Sequence, residues 1–170
     1  CIDKRSSAEL QEAINSMYRW YQLSEICLVH LAGVFHSNAT KNSFEELLSA
    51  SKWKTRGWAL QELIAPRQMI FYDDGWEELA TKRSGLQALS AVTGVPQIVL
   101  ETRDLSICSV AQKMSWAAGR STTRVEDRAY SLMGLFDIHL PMLYGEGKKS
   151  FDRLQEEIMK VTGDDTLFAW

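Results

Sequence analysis

Residues 53–73, WKTRGWALQELIAPRQMIFYD, constrain the fold more than any other stretch of the chain. Trp58, Leu63 and Ile64 share one face of a helix, with Ala59 and Leu60 at its edge. Pro66 cannot continue that helix, because it lacks the amide donor and its ring collides with the preceding turn. Met69-Ile70-Phe71-Tyr72 is then a short unbroken apolar run, the pattern of a strand covered on both faces. Glu62 sits beside Trp58 just before this strand, where a carboxylate is a candidate for chemistry. Two plainer readings stand next to it. A mid-helix glutamate can face water, or it can close an ion pair with Arg56 or Arg67. Trp53 and Trp58 suit a core equally well.

The rest of the chain extends this frame. Ser6 and Glu9 have capping-box spacing. Leu10, Ala13, Ile14, Met17 and Tyr21 follow on one helical stripe with Trp20 beside it. Ile26–Leu31 is the best strand candidate, and His30 within it reads as a core or strand-end histidine. Ser43 and Glu46 repeat the capping spacing before a short helix, Phe44–Ala50. Strand, helix, strand in this order predicts a parallel sheet with right-handed crossovers. Asp73-Asp74-Gly75 is a turn signal, with a short returning strand expected over Trp76–Leu79.

Beyond residue 83 the pattern is helical. Short patches over 83–101 are broken by Gly94-Val95-Pro96, and Ser109–Ala118 has helical spacing. Thr123 and Glu126 suggest a cap for a helix from Arg124 to Leu135, closed by Gly134. A last helix, Ser150–Val161, carries Phe151, Leu154, Ile158 and Val161 on one stripe. Residues 1–75 therefore read as the α/β core and residues 76–170 as a helical extension packed on it.

Composition narrows the function. With 19 basic and 22 acidic residues the net charge is −3, which argues against a nucleic-acid partner or an anionic membrane surface. Three cysteines and three histidines stand at no metal-ligand spacing, so no metal site is expected, and free thiols point to a reducing, cytoplasmic setting. No run of 18 apolar residues offers a membrane span. Cys1-Ile2-Asp3 reads as the end of a strand that begins upstream, as in a piece of a larger domain. Gly145–Ser150 lacks the glycine spacing of a phosphate loop and reads as an ordinary helix start. Arg124–Arg128 packs four charges into five residues, as in a structural ion-pair network.

Several blocks resemble the fungal heterokaryon-incompatibility (HET) domain: C-I-D-K-x-S-S-A-E-L-x-E-A-I-N-S-M at 1–17, W-x-x-R-x-W-x-L-Q-E-L at 53–63, I-F-Y-D at 70–73, E-D-R-A-Y-S-L-M-G-L-F at 126–136 and L-Y-G-E-G at 143–147. The resemblance spans nearly the whole chain. It implies a role in self/non-self recognition and programmed cell death, with self-association or other death-signalling modules as partners. A more distant similarity joins the HET domain to Toll/interleukin-receptor (TIR) domains, whose S-R-W-C-L-x-E-L motif matches Arg56–Leu63. Here Ala59 replaces the usual Cys, and Gly57 is inserted between Arg and Trp. This implies a partial TIR-like, flavodoxin-like parallel sheet followed by the helical extension. It also implies Glu62 as the catalytic residue of an NAD glycohydrolase, with NAD as substrate and no cofactor.

Such a reaction passes through an oxocarbenium-like centre that one carboxylate can stabilise. Trp58 or Trp53 would wall the pocket or stack on a ring, Arg56 would meet a phosphate, and Asp3 would lie at a strand end where open α/β sheets bind ligands. A non-catalytic signalling or oligomerisation module is the competing reading, because fold does not fix activity.

Overall fold

The computed structural model describes residues 6–35 and 43–169. Helix α1 (Ser7–Leu23) starts where the Ser6 hydroxyl accepts the Glu9 amide at 3.3 Å. Its expected stripe faces inward: Leu10, Ala13 and Ile14 are buried, and Met17 packs on them. Strand β1 (Cys27–His30) is followed by α2 (Phe44–Ala50), which opens with a reciprocal capping box between Ser43 and Glu46. A 3-10 turn at Trp53–Thr55 leads to α3 (Ala59–Ile64), whose Ala59, Leu60, Leu63 and Ile64 are all buried.

Strand β2 (Met69–Tyr72) pairs in parallel with β1, Cys27 opposite Met69 and His30 opposite Tyr72. Met69 and Phe71 are buried while Ile70 and Tyr72 are half-buried, so only one face of this strand is fully covered. The returning strand β3 (Glu78–Thr81) is antiparallel to β2, which makes the three-stranded sheet mixed. It begins two residues later than the sequence pattern suggests. Trp76, at φ 62°, belongs instead to the turn, where Asp73 Oδ1 accepts the Gly75 and Glu77 amides at 2.8 and 2.9 Å. Lys82, just beyond the strand, is buried and donates to the carbonyls of Ile64 (3.3 Å) and Pro66 (2.8 Å). It ties β3 to the exit of α3.

The second half is helical. Its helices are α4 (Leu86–Thr93), α5 (Gln97–Thr102), α6 (Val110–Ser115), α7 (Asp127–Tyr130), α8 (Met133–Phe136) and α9 (Lys149–Val161), with a 3-10 turn at Asp165–Phe168. Gly94, at φ 74°, ends α4 as its left-handed cap. The single helix expected over Arg124–Leu135 is two short ones, and the Thr123–Glu126 cap does not form. The Glu126 carboxylate is engaged elsewhere, accepting the amides of Gly145 (2.8 Å) and Gly147 (3.0 Å).

Gly134 does not close a helix. It lies inside α8, where an added Cβ would stand 2.2 Å from Tyr18 Cβ, and Asp137 at φ 55° is the cap. The glycine is required by the close crossing of α1 and α8. One apolar core joins both halves, with Leu60, Phe71, Tyr130 and Leu154 among its fully buried members. No helix among the described residues is long and apolar enough to cross a membrane.

Candidate functional site

The start of α3 is clamped to the second half of the chain. Ser121 donates its amide to Thr55 O at 2.7 Å, and Gly57 donates to Ser121 O at 2.8 Å, forming a parallel bridge between Arg56 and Ser121. The glycine between Arg56 and Trp58 thereby acquires a reason: a Cβ there would approach Thr122 Cγ2 to 2.5 Å. Arg120 reinforces the clamp, donating to Arg56 O at 3.2 Å and to Trp116 O at 2.8 Å. Burial lowers the Arg120 guanidinium to about 10, partly offset by the nearby Glu62 charge.

This clamp presents one face of α3 to a cleft of about 260 Å³. Glu62, Trp58 and Arg56 line it together with Tyr21, Asp127 and Tyr144. Glu62 is half-buried and accepts two hydrogen bonds, from Trp53 Nε1 at 2.9 Å and from Tyr21 Oη at 3.4 Å. Among the described residues it forms no ion pair, so neither Arg56 nor Arg67 neutralises it. Trp53 reaches Glu62 from beneath. Its ring is buried edge-on against Phe71, with centroids 5.5 Å apart, and it does not line the cleft. Asp3 lies outside the described residues.

The opposite wall comes from the helical half. Asp127 Oδ2 accepts Trp58 Nε1 at 3.4 Å, and its Oδ1 accepts Tyr144 Oη at 2.9 Å. The Arg124 guanidinium lies 4.3 Å from the centre of the Tyr144 ring, a cation–π arrangement. The Arg124–Arg128 run is therefore not an ion-pair network. Among the described residues none of its charges forms an ion pair; Arg124 lies over the Tyr144 ring, Asp127 accepts from Trp58 and Tyr144, and Glu126 accepts backbone amides. Burial, followed by the neighbouring carboxylate, raises both Tyr21 and Tyr144 above the ordinary tyrosine value. Both hydroxyls therefore stay protonated and act as donors to Glu62 and Asp127.

Residues 56, 58 and 62 are legible in sequence because they share one turn-and-helix segment. Tyr21, Arg124, Asp127 and Tyr144 are not. Asp127 and Tyr144 do fall in the E-D-R-A-Y and L-Y-G-E-G blocks, which was the available signal. Chemically, the cleft offers two carboxylates, each held by an aromatic N–H or O–H donor, two guanidiniums at its walls, and an indole face. Among the described residues no group of three His, Cys, Asp or Glu side chains is arranged to hold a metal ion.

No protein-family model matches the chain, and no solved structure matches it. It is 46% identical over 167 residues to the vegetative incompatibility protein HET-E-1 of Podospora anserina, covering 96% of this chain but only 12% of that protein. Over nearly its whole length, then, the chain is related to one segment of a vegetative incompatibility protein.

Proposed function

We propose that this chain is a heterokaryon-incompatibility module that acts in the cytoplasm as a cell-death effector, and that its Glu62 cleft cleaves the nicotinamide–ribose bond of NAD. One observation carries the catalytic part of this reading. The half-buried Glu62 carboxylate opens on a cavity and is held by two hydrogen-bond donors, with no contact ion pair among the described residues.

A volume of about 260 Å³ suits the nicotinamide riboside end, not the whole dinucleotide. The pyrophosphate would lie at the mouth, where Arg56 and Arg124 stand. In the reaction, the bond from the anomeric carbon to the pyridinium nitrogen breaks, and its electron pair leaves with nicotinamide. Water adds to the anomeric carbon and releases one proton. Glu62 stabilises the oxocarbenium-like centre. The leaving group already carries positive charge, so no general acid is needed. Asp127 fixes the Trp58 indole, which walls the ring.

The test is NAD turnover by the full chain at high concentration beside Glu62→Gln, with both folds checked by circular dichroism. Turnover that vanishes in a folded Glu62→Gln supports the reading. An assembled wild type that leaves NAD intact refutes it.

A second reading, a non-catalytic assembly module, has its own support. Trp20 (52% exposed), Leu23, Ile26 and Leu28 (56% exposed) form an exposed apolar surface around β1. Self-association lost on Trp20→Ser and Leu28→Ser, with no NAD turnover in any variant, would favour it.

A further inference from the structure

A second cavity among the described residues is larger than the Glu62 cleft. A recess of about 950 Å³ lies on the other side of α1, between that helix, the loop after α5, α6, α8 and the end of α9. Its cations are Arg19, Arg103 and Lys113, with His139 also on its wall. Two carboxylates share the recess. Asp164 is already engaged by the amides of Val110 (2.8 Å) and Thr166 (2.9 Å), and Asp137 is exposed at the end of α8. Among the described residues, Arg19, Arg103 and Lys113 form no ion pair.

Arg103 and Lys113 are both half-buried; Asp164 and Asp104 act on the Lys113 charge without contact pairing, and the half-buried Arg103 is the costlier of the two to leave without an anion. Arg103 also sits at φ 62° as the left-handed cap of α5, a place that favours glycine. An arginine kept in that conformation, with its side chain at a cavity, is the kind of backbone outlier that accompanies ligand sites. Leu105, Leu135 and Ile158 give the recess apolar walls, and the Phe136 ring lies 5.5 Å from Lys113 Nζ. Tyr18 is raised to about 12 by burial, so its hydroxyl is a protonated donor.

We infer that this recess binds a phosphate-bearing small molecule with an aromatic portion, of nucleotide size. Its phosphates would be taken by Arg103 and Lys113, and its ring would lie against the apolar wall beside Phe136. The volume falls in the range of small-molecule sites. The planar guanidinium suits bidentate contact with phosphate oxygens. Burial lowers the Lys113 ammonium below its ordinary value although Asp164 and Asp104 act against the shift, and a bound phosphate would oppose it further. The site is separate from the Glu62 cleft and does not depend on NAD cleavage there.

The test is calorimetric titration of the full chain with ADP, and with adenosine as the ligand without phosphate. Arg103→Gly removes the guanidinium at a position whose backbone favours glycine, so the fold is retained, as a thermal melt verifies. The expected result is ADP binding that weakens at least tenfold in Arg103→Gly and in Lys113→Gln. Binding should also weaken with added salt and stay unchanged in Glu62→Gln, while NAD turnover in Arg103→Gly matches wild type. Absence of ADP binding, equal binding of adenosine, full affinity in Arg103→Gly, or loss of binding in Glu62→Gln would each overturn the inference.

Discussion

Alanine at position 57 probes the clamp that shapes the cleft. The added Cβ would lie 2.5 Å from Thr122 Cγ2 and 3.2 Å from Ser131 Oγ. Gly57 is not in the left-handed region, so the perturbation is the methyl group and not backbone strain. Thr122 cannot swing its own methyl aside freely. Its hydroxyl donates to Arg124 O at 2.6 Å, and rotation would break a bond worth about 1 kcal/mol. Retreat of the backbone would stretch the 2.8 Å bond from Gly57 to Ser121.

Overpacking of this kind costs about 1–3 kcal/mol. For a chain of this length the melting temperature should fall by roughly 3–10 °C. Thr122→Ser removes Cγ2 but keeps the hydroxyl, so the double variant should regain most of the loss, with a coupling energy of about 1–2 kcal/mol. Urea denaturation of the four chains measures it. A Gly57→Ala chain as stable as wild type, or a loss untouched by Thr122→Ser, would show that the close approach does not govern this segment.

Two other perturbations have defined outcomes. Glu126→Ala should lower the melting temperature and speed hydrogen exchange at the Gly145 and Gly147 amides, which lose their shared acceptor; unchanged exchange there would contradict the assignment. Backbone hydrogen bonds, from its own amide first and then from those two glycines, hold the Glu126 carboxyl below its ordinary value. Its stabilisation is thus present above the unfolded-state carboxyl pKa and lost as pH falls through the lower folded one. Lys82 shifts stability in the same direction, in an alkaline window. Burial lowers it to about 8, so between about pH 8 and 10 the unfolded chain binds more protons and stability gains with rising pH. The stability difference between wild type and Lys82→Met should shift towards wild type across that window, and a flat difference would refute the assignment.

What could be read from the sequence was local. Ser43 and Glu46 announce α2 because both caps lie within one turn, and the α1 stripe follows from helical spacing alone. Pairing of β1 with β2 followed from two apolar runs flanking a helix. The return of β3 followed from the Asp73-Asp74-Gly75 turn signal, but its start did not, because Trp76 takes a left-handed conformation and stays in the turn. Gly134 reads as a helix stop until Tyr18, 116 positions away by residue number, is found lying against it. Glu126 reads as a cap until its carboxylate is found within a glycine loop. For the cleft, one helix supplied Glu62 and Trp58 in sequence, but Asp127 meets Trp58 across 69 positions, and no periodicity reports a contact of that range.

A cleft walled by two distant stretches of one polypeptide has a genetic consequence. Lesions scattered over codons 120–147, none of them near codon 62, would disturb the same cleft by displacing Asp127, Tyr144 or the Ser121 bridge. If the cleft is what the cell responds to, a screen for loss of effect would return two clusters of alleles. Second-site suppressors of one cluster would then be expected to map within the other.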